Sequence, residues 1–294
     1  MGAKGRPRNI YVMLAIAVFS VSWAAIFVRL SGAPGAVCAF WRMFFSSIIT
    51  FLIAGSELTG IRNQTPHHIL LAAASGAFLA AHFTSWMESL FLISVSLSTT
   101  IVVTHPIFAL LFAFFLLREV PSRRQVIGLM IALMGIFMMT TKGRFVYPEG
   151  ITAWGIALAF IGALCGGIYF ALGRLLRASG MSLMSYTLIA YSTSVIVLLP
   201  YVLINKISLI DYPPRTWLFF LLLALVPMLS GHTLLNYVLR YAKAVAVTGV
   251  VMGEPVGATL LAWLLLNELP TFEELLGMAI TLIGIGLVVT GESS

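Results

Sequence analysis

Several ionisable side chains lie inside long apolar stretches of this sequence, where a charge is costly. They are Arg42, His82, Glu88, His105, His232 and Glu254. In hydrocarbon such a group needs a partner or a water-filled cavity, so each one is a candidate to contact a solute or an ion. Asn236 follows His232 by four residues and shares its helix face, and its amide can both donate and accept hydrogen bonds to a zwitterion.

The apolar stretch 68–91 has one polar face when it is read as a helix. At about 100° per residue, Ser85 and Glu88 fall at about 300° and 240° from His82, whereas Trp86 falls at about 40° among apolar neighbours. A helix that faces lipid has no use for a polar arc. The arc therefore predicts a cavity lining that includes His82, Ser85, Trp86 and Glu88, and the alternative is a hydrogen-bond network that only holds helices together.

The charged pair Glu88 and Arg42 allows more than one interpretation. Glu88 could accept a proton, bind an amino or cationic group, or pair with Arg42 in a buried ion pair. At the outer end of its helix, contact with solvent alone would explain it. For Arg42 the sequence favours a structural pairing or a position at the membrane interface over binding of a substrate carboxylate.

His105 and Glu254 each precede a proline inside an apolar stretch. Proline removes a helix hydrogen bond and frees carbonyl groups, which can serve a substrate site or a hinge. A simple helix start is the alternative. Trp23 and Tyr169 occupy similar places in the middle of two other stretches, where they line a pocket or only pack against neighbours.

The composition shows what must position these residues. The chain has 294 residues, of which 60% are hydrophobic and 9% charged, whereas a soluble domain is about 25% charged. Apolar runs of roughly 20 residues cross a bilayer as helices. The sequence predicts an all-α integral membrane protein whose ten transmembrane helices cover 10–30, 34–54, 68–91, 97–117, 124–141, 151–173, 183–204, 216–238, 244–266 and 273–290.

The net charge of +7 indicates topology rather than a nucleic acid partner, because the charges lie in the short links. One side of the membrane would hold eleven Lys and Arg: Lys4, Arg6, Arg8, Arg62, Arg118, Arg123, Arg124, Arg174, Arg177, Arg240 and Lys243. The other side would hold five: Arg29, Lys142, Arg144, Lys206 and Arg215. This bias predicts that both termini are cytoplasmic. Cys38 and Cys165 have no paired spacing, and no metal site or cofactor is expected.

An internal repeat divides the chain into two halves. The segment from His105 to Thr141 aligns without a gap with the segment from Glu254 to Thr290, at an offset of 149 residues. The halves are 10–141 and 151–290, each with five helices. Because five is odd, the second half must be inverted in the membrane. This construction is typical of secondary transporters, whose substrate binds where the halves meet.

The repeated pattern resembles a known family. It consists of Pro106, Glu119, Gly128 and Gly135, and again of Pro255, Glu268, Gly277 and Gly284. This doubled pattern is similar to the EamA repeat of the drug/metabolite transporter superfamily. The resemblance implies a carrier of amino acids or related metabolites, often an exporter like the YddG-type proteins that favour aromatic amino acids. Other relatives carry S-adenosylmethionine, nucleosides, choline-like cations or sugars. The acidic residue that small multidrug transporters use in their first helix is absent from residues 10–30.

The sequence therefore favours a secondary transporter of the inner, or plasma, membrane that works as a monomer and exports a small metabolite, with an amino acid as the favoured solute. The alternatives within this class are a carrier of S-adenosylmethionine, a nucleoside or a cationic drug. A membrane-embedded enzyme that uses His82, Glu88 and His105 as acid–base groups is an alternative of another class, but no catalytic motif supports it, and we expect no enzymatic activity. A channel would need a pore or a ring of charges, which the sequence does not indicate.

Overall fold

The structure is a computed structural model that describes Pro7 and residues 9–93, 95–140, 149–266 and 269–291. Several residues used in the sequence analysis lie outside these ranges: Lys4, Arg6, Arg8, Thr141, Lys142, Arg144 and Glu268.

The described residues fold into helices joined by short links, which confirms the all-α, ten-helix class. The helices are α1 (Ile10–Ser31), α2 (Gly35–Ala54), α3 (Pro66–Ser89), α4 (Val95–Val102 and His105–Leu117), α5 (Arg123–Thr140), α6 (Glu149–Ala178), α7 (Leu183–Ile204), α8 (Pro214–Val238), α9 (Ala244–Val251 and Glu254–Leu266) and α10 (Phe272–Thr290). Within the described residues, nine of them are long and apolar enough to cross a bilayer. The tenth, α5, has 18 residues and packs along α10.

Four of the helices are interrupted near the middle of the bundle. α4 breaks at Val103–Thr104 and α9 breaks at Met252–Gly253, in each case directly before the residue that precedes proline. The proline ring has no N–H to donate and clashes with the carbonyl of the preceding turn, which accounts for the two breaks. α1 is interrupted at Ser22–Trp23, and residues Ala224–Thr233 of α8 form a π-helix around Pro227. Breaks and π-helices often mark functional sites.

The helices of the two halves pack against each other rather than forming separate bundles. α3 and α4 pack on α6, α1 packs on α8, and α2 and α3 pack on α7. The buried residues of these helices form one core, and the interrupted parts of α1, α4, α8 and α9 surround its centre. The polar candidates of the sequence analysis are therefore held at the seam of the halves.

The α5–α10 contact depends on glycine. A Cβ atom on Gly284 would lie 2.4 Å from the Ala132 backbone nitrogen, whereas a Cβ on Gly286 of the same helix would meet no atom within 4 Å. We expect Gly284→Ala to cost about 1–3 kcal/mol through overpacking and to lower the yield of monodisperse protein in size-exclusion chromatography. Gly286→Ala is the matched control and should behave like the wild type. Equal yields for the two variants would contradict this account of the interface.

Candidate substrate site

Side chains from six helices meet around a small cavity at the seam of the two halves, and five of these helices contribute an ionisable group. Arg42 of α2, His82 of α3, His105 of α4, His232 of α8 and Glu254 of α9 all line it. The sequence analysis proposed these residues separately, and the structure brings them together. The cavity has a volume of about 10 Å³, which is room for roughly one water molecule. A metabolite fits only after the surrounding helices have moved apart.

Arg42 is fully buried, at 0% exposure, and its guanidinium has no hydrogen-bond partner at Nε, Nη1 or Nη2. The guanidinium carbon lies 3.9 Å from the centre of the Phe83 ring, which gives only partial compensation for the lost hydration. No ion pair joins Arg42 to Glu88; among the described residues, an ion pair is observed between Glu119 and Arg174. The sequence favoured a structural pairing or an interfacial position for Arg42. In the structure the side chain is buried at the cavity, and the carboxyl group that attracts it there is Glu254.

Glu254 brings a carboxyl group to the same cavity. It is 8% exposed, lies at the start of the second segment of α9, and makes no hydrogen bond or ion pair to any of the described residues. Arg42 and Glu254 attract each other across the cavity, but attraction without hydrogen bonds offsets only part of the cost of burying the two groups. Such groups are explained when a ligand completes their hydrogen bonds.

The three histidines of the cavity differ in whether their ring nitrogens already make hydrogen bonds to the protein. His82 Nδ1 lies 2.7 Å from the carbonyl oxygen of Gly162. Because a carbonyl only accepts, this nitrogen carries the proton, and Nε2 of the neutral ring is an acceptor. Nδ1 of His105 and Nδ1 of His232 have no hydrogen-bond partner. In the part of the chain that the structure describes, no group of three or more His, Cys, Asp or Glu residues is arranged to hold a metal ion.

The third helix faces the cavity differently from the predicted polar arc. His82, Phe83 and Trp86 line the cavity, and the indole Nε1 of Trp86 is buried without a hydrogen-bond partner. Ser85 and Glu88 do not line it. The helical period fixes which residues share a face, but the rotation of α3 against α6 and α7 decides which face meets the cavity.

Glu88 caps another helix instead. Its Oε1 accepts a hydrogen bond of 2.7 Å from the backbone N–H of Ala36, in the first turn of α2. A Cβ on Gly35 would lie 2.5 Å from the Glu88 backbone nitrogen, so the end of α3 and the start of α2 are in close contact. A carboxylate at a helix N-terminus satisfies a free N–H group and interacts favourably with the helix dipole.

This contact gives an expectation for two substitutions of Glu88. Glu88→Gln keeps an oxygen that can accept from Ala36, and we expect transport within about twofold of the wild type. Glu88→Leu removes the acceptor, and we expect a loss of about 0.5–2 kcal/mol, the usual cost of losing a helix cap, seen as a lower melting temperature in detergent. A strong loss of transport in Glu88→Gln at unchanged stability would instead place Glu88 on the solute pathway.

Asn236 and Tyr169 form a buried hydrogen-bonded pair next to the cavity. The Asn236 amide nitrogen donates to the Tyr169 hydroxyl and to the His232 carbonyl, and the rings of Tyr169 and His232 are 6.1 Å apart. The pair therefore supports the π-helical part of α8. Trp23 lies between Phe19 and Phe27 in an aromatic row on α1 and does not line the cavity, which favours the packing role considered for it.

A second polar cluster closes the end of the bundle where α4, α6 and α8 end and α9 begins. Arg174 Nε donates to Glu119 Oε1 at 2.6 Å, and Arg174 Nη1 donates to the Leu239 carbonyl at 2.6 Å. The second oxygen of Glu119 accepts from the Ala244 backbone N–H at 3.1 Å. The cluster joins the first half to the second. Sequence reasoning noted Glu119 as a repeat residue and Arg174 as a topology signal, but no pattern in the sequence links them.

We expect charge reversal to show that this cluster joins the halves. Glu119→Lys places a cation against Arg174 and the α9 N-terminus, and should lower transport by roughly tenfold. Exchange of both charges, Glu119→Arg with Arg174→Glu, should recover part of the loss, but not all of it, because the Ala244 N–H still needs an acceptor. The measurement is uptake into proteoliposomes at matched protein content. No recovery in the double variant would contradict a direct interaction.

Comparison with known proteins agrees with this architecture. The model of the EamA-like transporter family matches residues 8–141 and 153–290. An uncharacterized transporter of Archaeoglobus fulgidus is 24% identical over 230 residues, 75% of each chain. The uncharacterized transporter YdfC of Bacillus subtilis is 23% identical over 291 residues, 95% of this chain and 91% of the relative. A crystal structure of a protein 15% identical in sequence superposes with a TM-score of 0.76 over 97% of this chain and 98% of the other.

Proposed function

Because the chain belongs to the EamA-like transporter family and is a multi-pass membrane protein, we propose that it exports amino acids across the inner, or plasma, membrane by alternating access. In this proposal it works as a monomer without a cofactor, and both termini are cytoplasmic. Export is the direction that the resemblance to amino-acid exporters favours. The excess of Lys and Arg on one side of the membrane supports the orientation.

One observation carries the choice of solute: Arg42 and Glu254 line the same cavity and attract each other across it, while the Arg42 guanidinium has no hydrogen-bond partner. A guanidinium binds a carboxylate through two parallel hydrogen bonds, and a carboxylate binds an ammonium group. An amino acid offers both groups on one carbon. A simple cationic drug has no use for Arg42, and a nucleoside without charge leaves both residues unsatisfied.

Alternating access needs a closure on each side of the site, and both ends of the bundle have suitable contacts. Glu119 and Arg174 join the halves at one end. Towards the other end, the Trp41 indole donates to the Leu209 carbonyl at 2.8 Å, and its ring lies 4.7 Å from that of Trp217. The breaks in α4 and α9 and the π-helix of α8 supply backbone that can adjust between the two closures.

A membrane-embedded enzyme is the less favoured function. It would need Glu88 close to His82 and His105, but the Glu88 carboxylate accepts from Ala36 and does not line the cavity.

A panel of solutes in proteoliposomes tests the proposed function. The panel contains aromatic and small neutral amino acids, S-adenosylmethionine, a nucleoside and a quaternary amine. We expect at least one amino acid to enter roughly tenfold faster than in liposomes without protein, and the quaternary amine not to. If monodisperse protein moves no member of the panel, the proposal is wrong. Movement of the quaternary amine alone would replace the amino acid by a cationic solute.

A further inference from the structure

The small cavity holds two groups whose hydrogen bonds the protein does not complete. The Arg42 guanidinium and the Glu254 carboxyl group attract each other across it, but no hydrogen bond joins them. The Arg42 guanidinium offers N–H groups on three nitrogens, and none of these nitrogens has a partner. Glu254 offers two carboxyl oxygens that attract Arg42 without a hydrogen bond to it. A volume of about 10 Å³ holds roughly one water molecule, which makes about three hydrogen bonds. Closure without a solute therefore leaves most of these groups unsatisfied.

Glu254 attracts the Arg42 guanidinium without a hydrogen bond, and the other polar side chains around Arg42 do not supply an acceptor either. On α6 and α7, the Tyr169 hydroxyl accepts from Asn236, and the Tyr191 hydroxyl bonds Thr233 at 2.8 Å. On α3, His82 Nδ1 is bound to the Gly162 carbonyl. His105 of α4 and His232 of α8 also face the cavity, but neither bonds the guanidinium.

A bound amino acid would change this balance, since its carboxylate satisfies Arg42 and its ammonium satisfies Glu254. The cavity must then widen by about the volume of the solute. Three of its lining residues lie on adjustable backbone: His105 and Glu254 directly follow the breaks of α4 and α9, and His232 lies in the π-helix of α8. The free energy of the closed state is thus lower, relative to the open states, when a solute is bound than when the cavity is empty.

Every alternating-access carrier passes through a closed state in both directions. The geometry points to an exchanger, in which the loaded protein crosses quickly and the unloaded protein returns slowly, so that one amino acid leaves as another enters. This inference rests on the proposed function, because it assumes that the cavity is the solute site.

Exchange and net transport can be compared in the same proteoliposomes. One set is preloaded with an unlabelled mixture of the common amino acids, a second set contains buffer only, and both take up the same labelled mixture. We expect the preloaded set to be faster by about tenfold, which corresponds to about 1.4 kcal/mol between the two return barriers. Equal rates would overturn the exchanger alone. No uptake in either set would overturn the proposed function as well.

A double variant tests the physical cause. Arg42→Met with Glu254→Gln removes both ionisable groups of this buried pair, and a neutral, well-packed replacement of buried charges is often as stable or more so. We expect this variant to melt in detergent, without solute, at or above the wild-type temperature. The amino acid mixture should raise the melting temperature of the wild type only. A double variant that melts several degrees lower, or that fails to fold, would show that the charges stabilise the unloaded protein and would overturn the inference.

The matched control carries the same change of charge at exposed positions. Arg123→Gln with Glu57→Gln replaces one cation and one anion on the surface. Its melting temperature and its ratio of exchange to net uptake should equal those of the wild type. A reduced ratio in this control would mean that net charge, rather than the buried pair, sets the ratio, and would also overturn the inference.

Discussion

Replacement of Arg42 by methionine is expected to lower amino-acid uptake by roughly 100-fold or more without loss of folded protein. Methionine fills the apolar surroundings, which include the face of the Phe83 ring, but it cannot donate to a carboxylate. A charge-assisted bidentate interaction in a dry site is worth about 3 kcal/mol, which is about 100-fold in rate or affinity. The measurement is the initial rate of uptake at low solute concentration, corrected for monodisperse protein.

Arg42→Lys is the conservative control for this prediction. Lysine keeps the charge but not the planar pair of donors, so its rate should fall between those of the wild type and Arg42→Met. Wild-type transport by Arg42→Met would mean that the solute carboxylate binds elsewhere, and the assignment of the site would then be wrong.

Glu254→Gln should change which solutes are carried. The variant loses the charge that holds the ammonium group, and we expect amino-acid uptake to fall by about 30-fold, or roughly 2 kcal/mol. The matching des-amino carboxylic acid has no ammonium group to lose, so its uptake should fall much less. The ratio of the two rates is the measurement, because it does not depend on how much protein is active.

Glu88→Gln is the matched control, since it also neutralises a partly buried carboxylate but lies outside the cavity. The selectivity ratio should change in Glu254→Gln and remain at the wild-type value in Glu88→Gln. A change of the same size in both variants, or in neither, would contradict the role given to Glu254.

The helices and the repeat could be predicted from the sequence because a segment that crosses lipid must be apolar and must satisfy its own backbone hydrogen bonds. Apolar runs with few charges have to be helices, and the offset of 149 residues between His105 and Glu254 identifies the duplication. The breaks before Pro106 and Pro255 followed from proline chemistry. The interruption of α1 at Ser22–Trp23 did not, because no proline or glycine marks it. It is accompanied by packing against α8 and α9 and by a hydrogen bond from the Ser22 hydroxyl to the Val18 carbonyl, a contact that often bends helices.

Part of the candidate site could also be predicted from the sequence, for a similar reason. The cost of charge in hydrocarbon singled out Arg42, His82, His105, His232 and Glu254, and these five line one cavity. The same rule also selected Glu88, whose partner is a backbone N–H at the start of α2. Backbone partners across a helix contact leave no trace in the side-chain pattern. The Glu119–Arg174 pair was missed likewise, since its residues are 55 positions apart.

Labelling of a cysteine inside the cavity tests the central claim that the solute binds there. Val251 lines the cavity and is 3% exposed, and the native Cys38 and Cys165 would be replaced by alanine. The account predicts that the transported amino acid slows maleimide labelling of Val251→Cys, with half-protection at the concentration that half-saturates uptake. Labelling that is unaffected by a solute concentration that saturates uptake would contradict it.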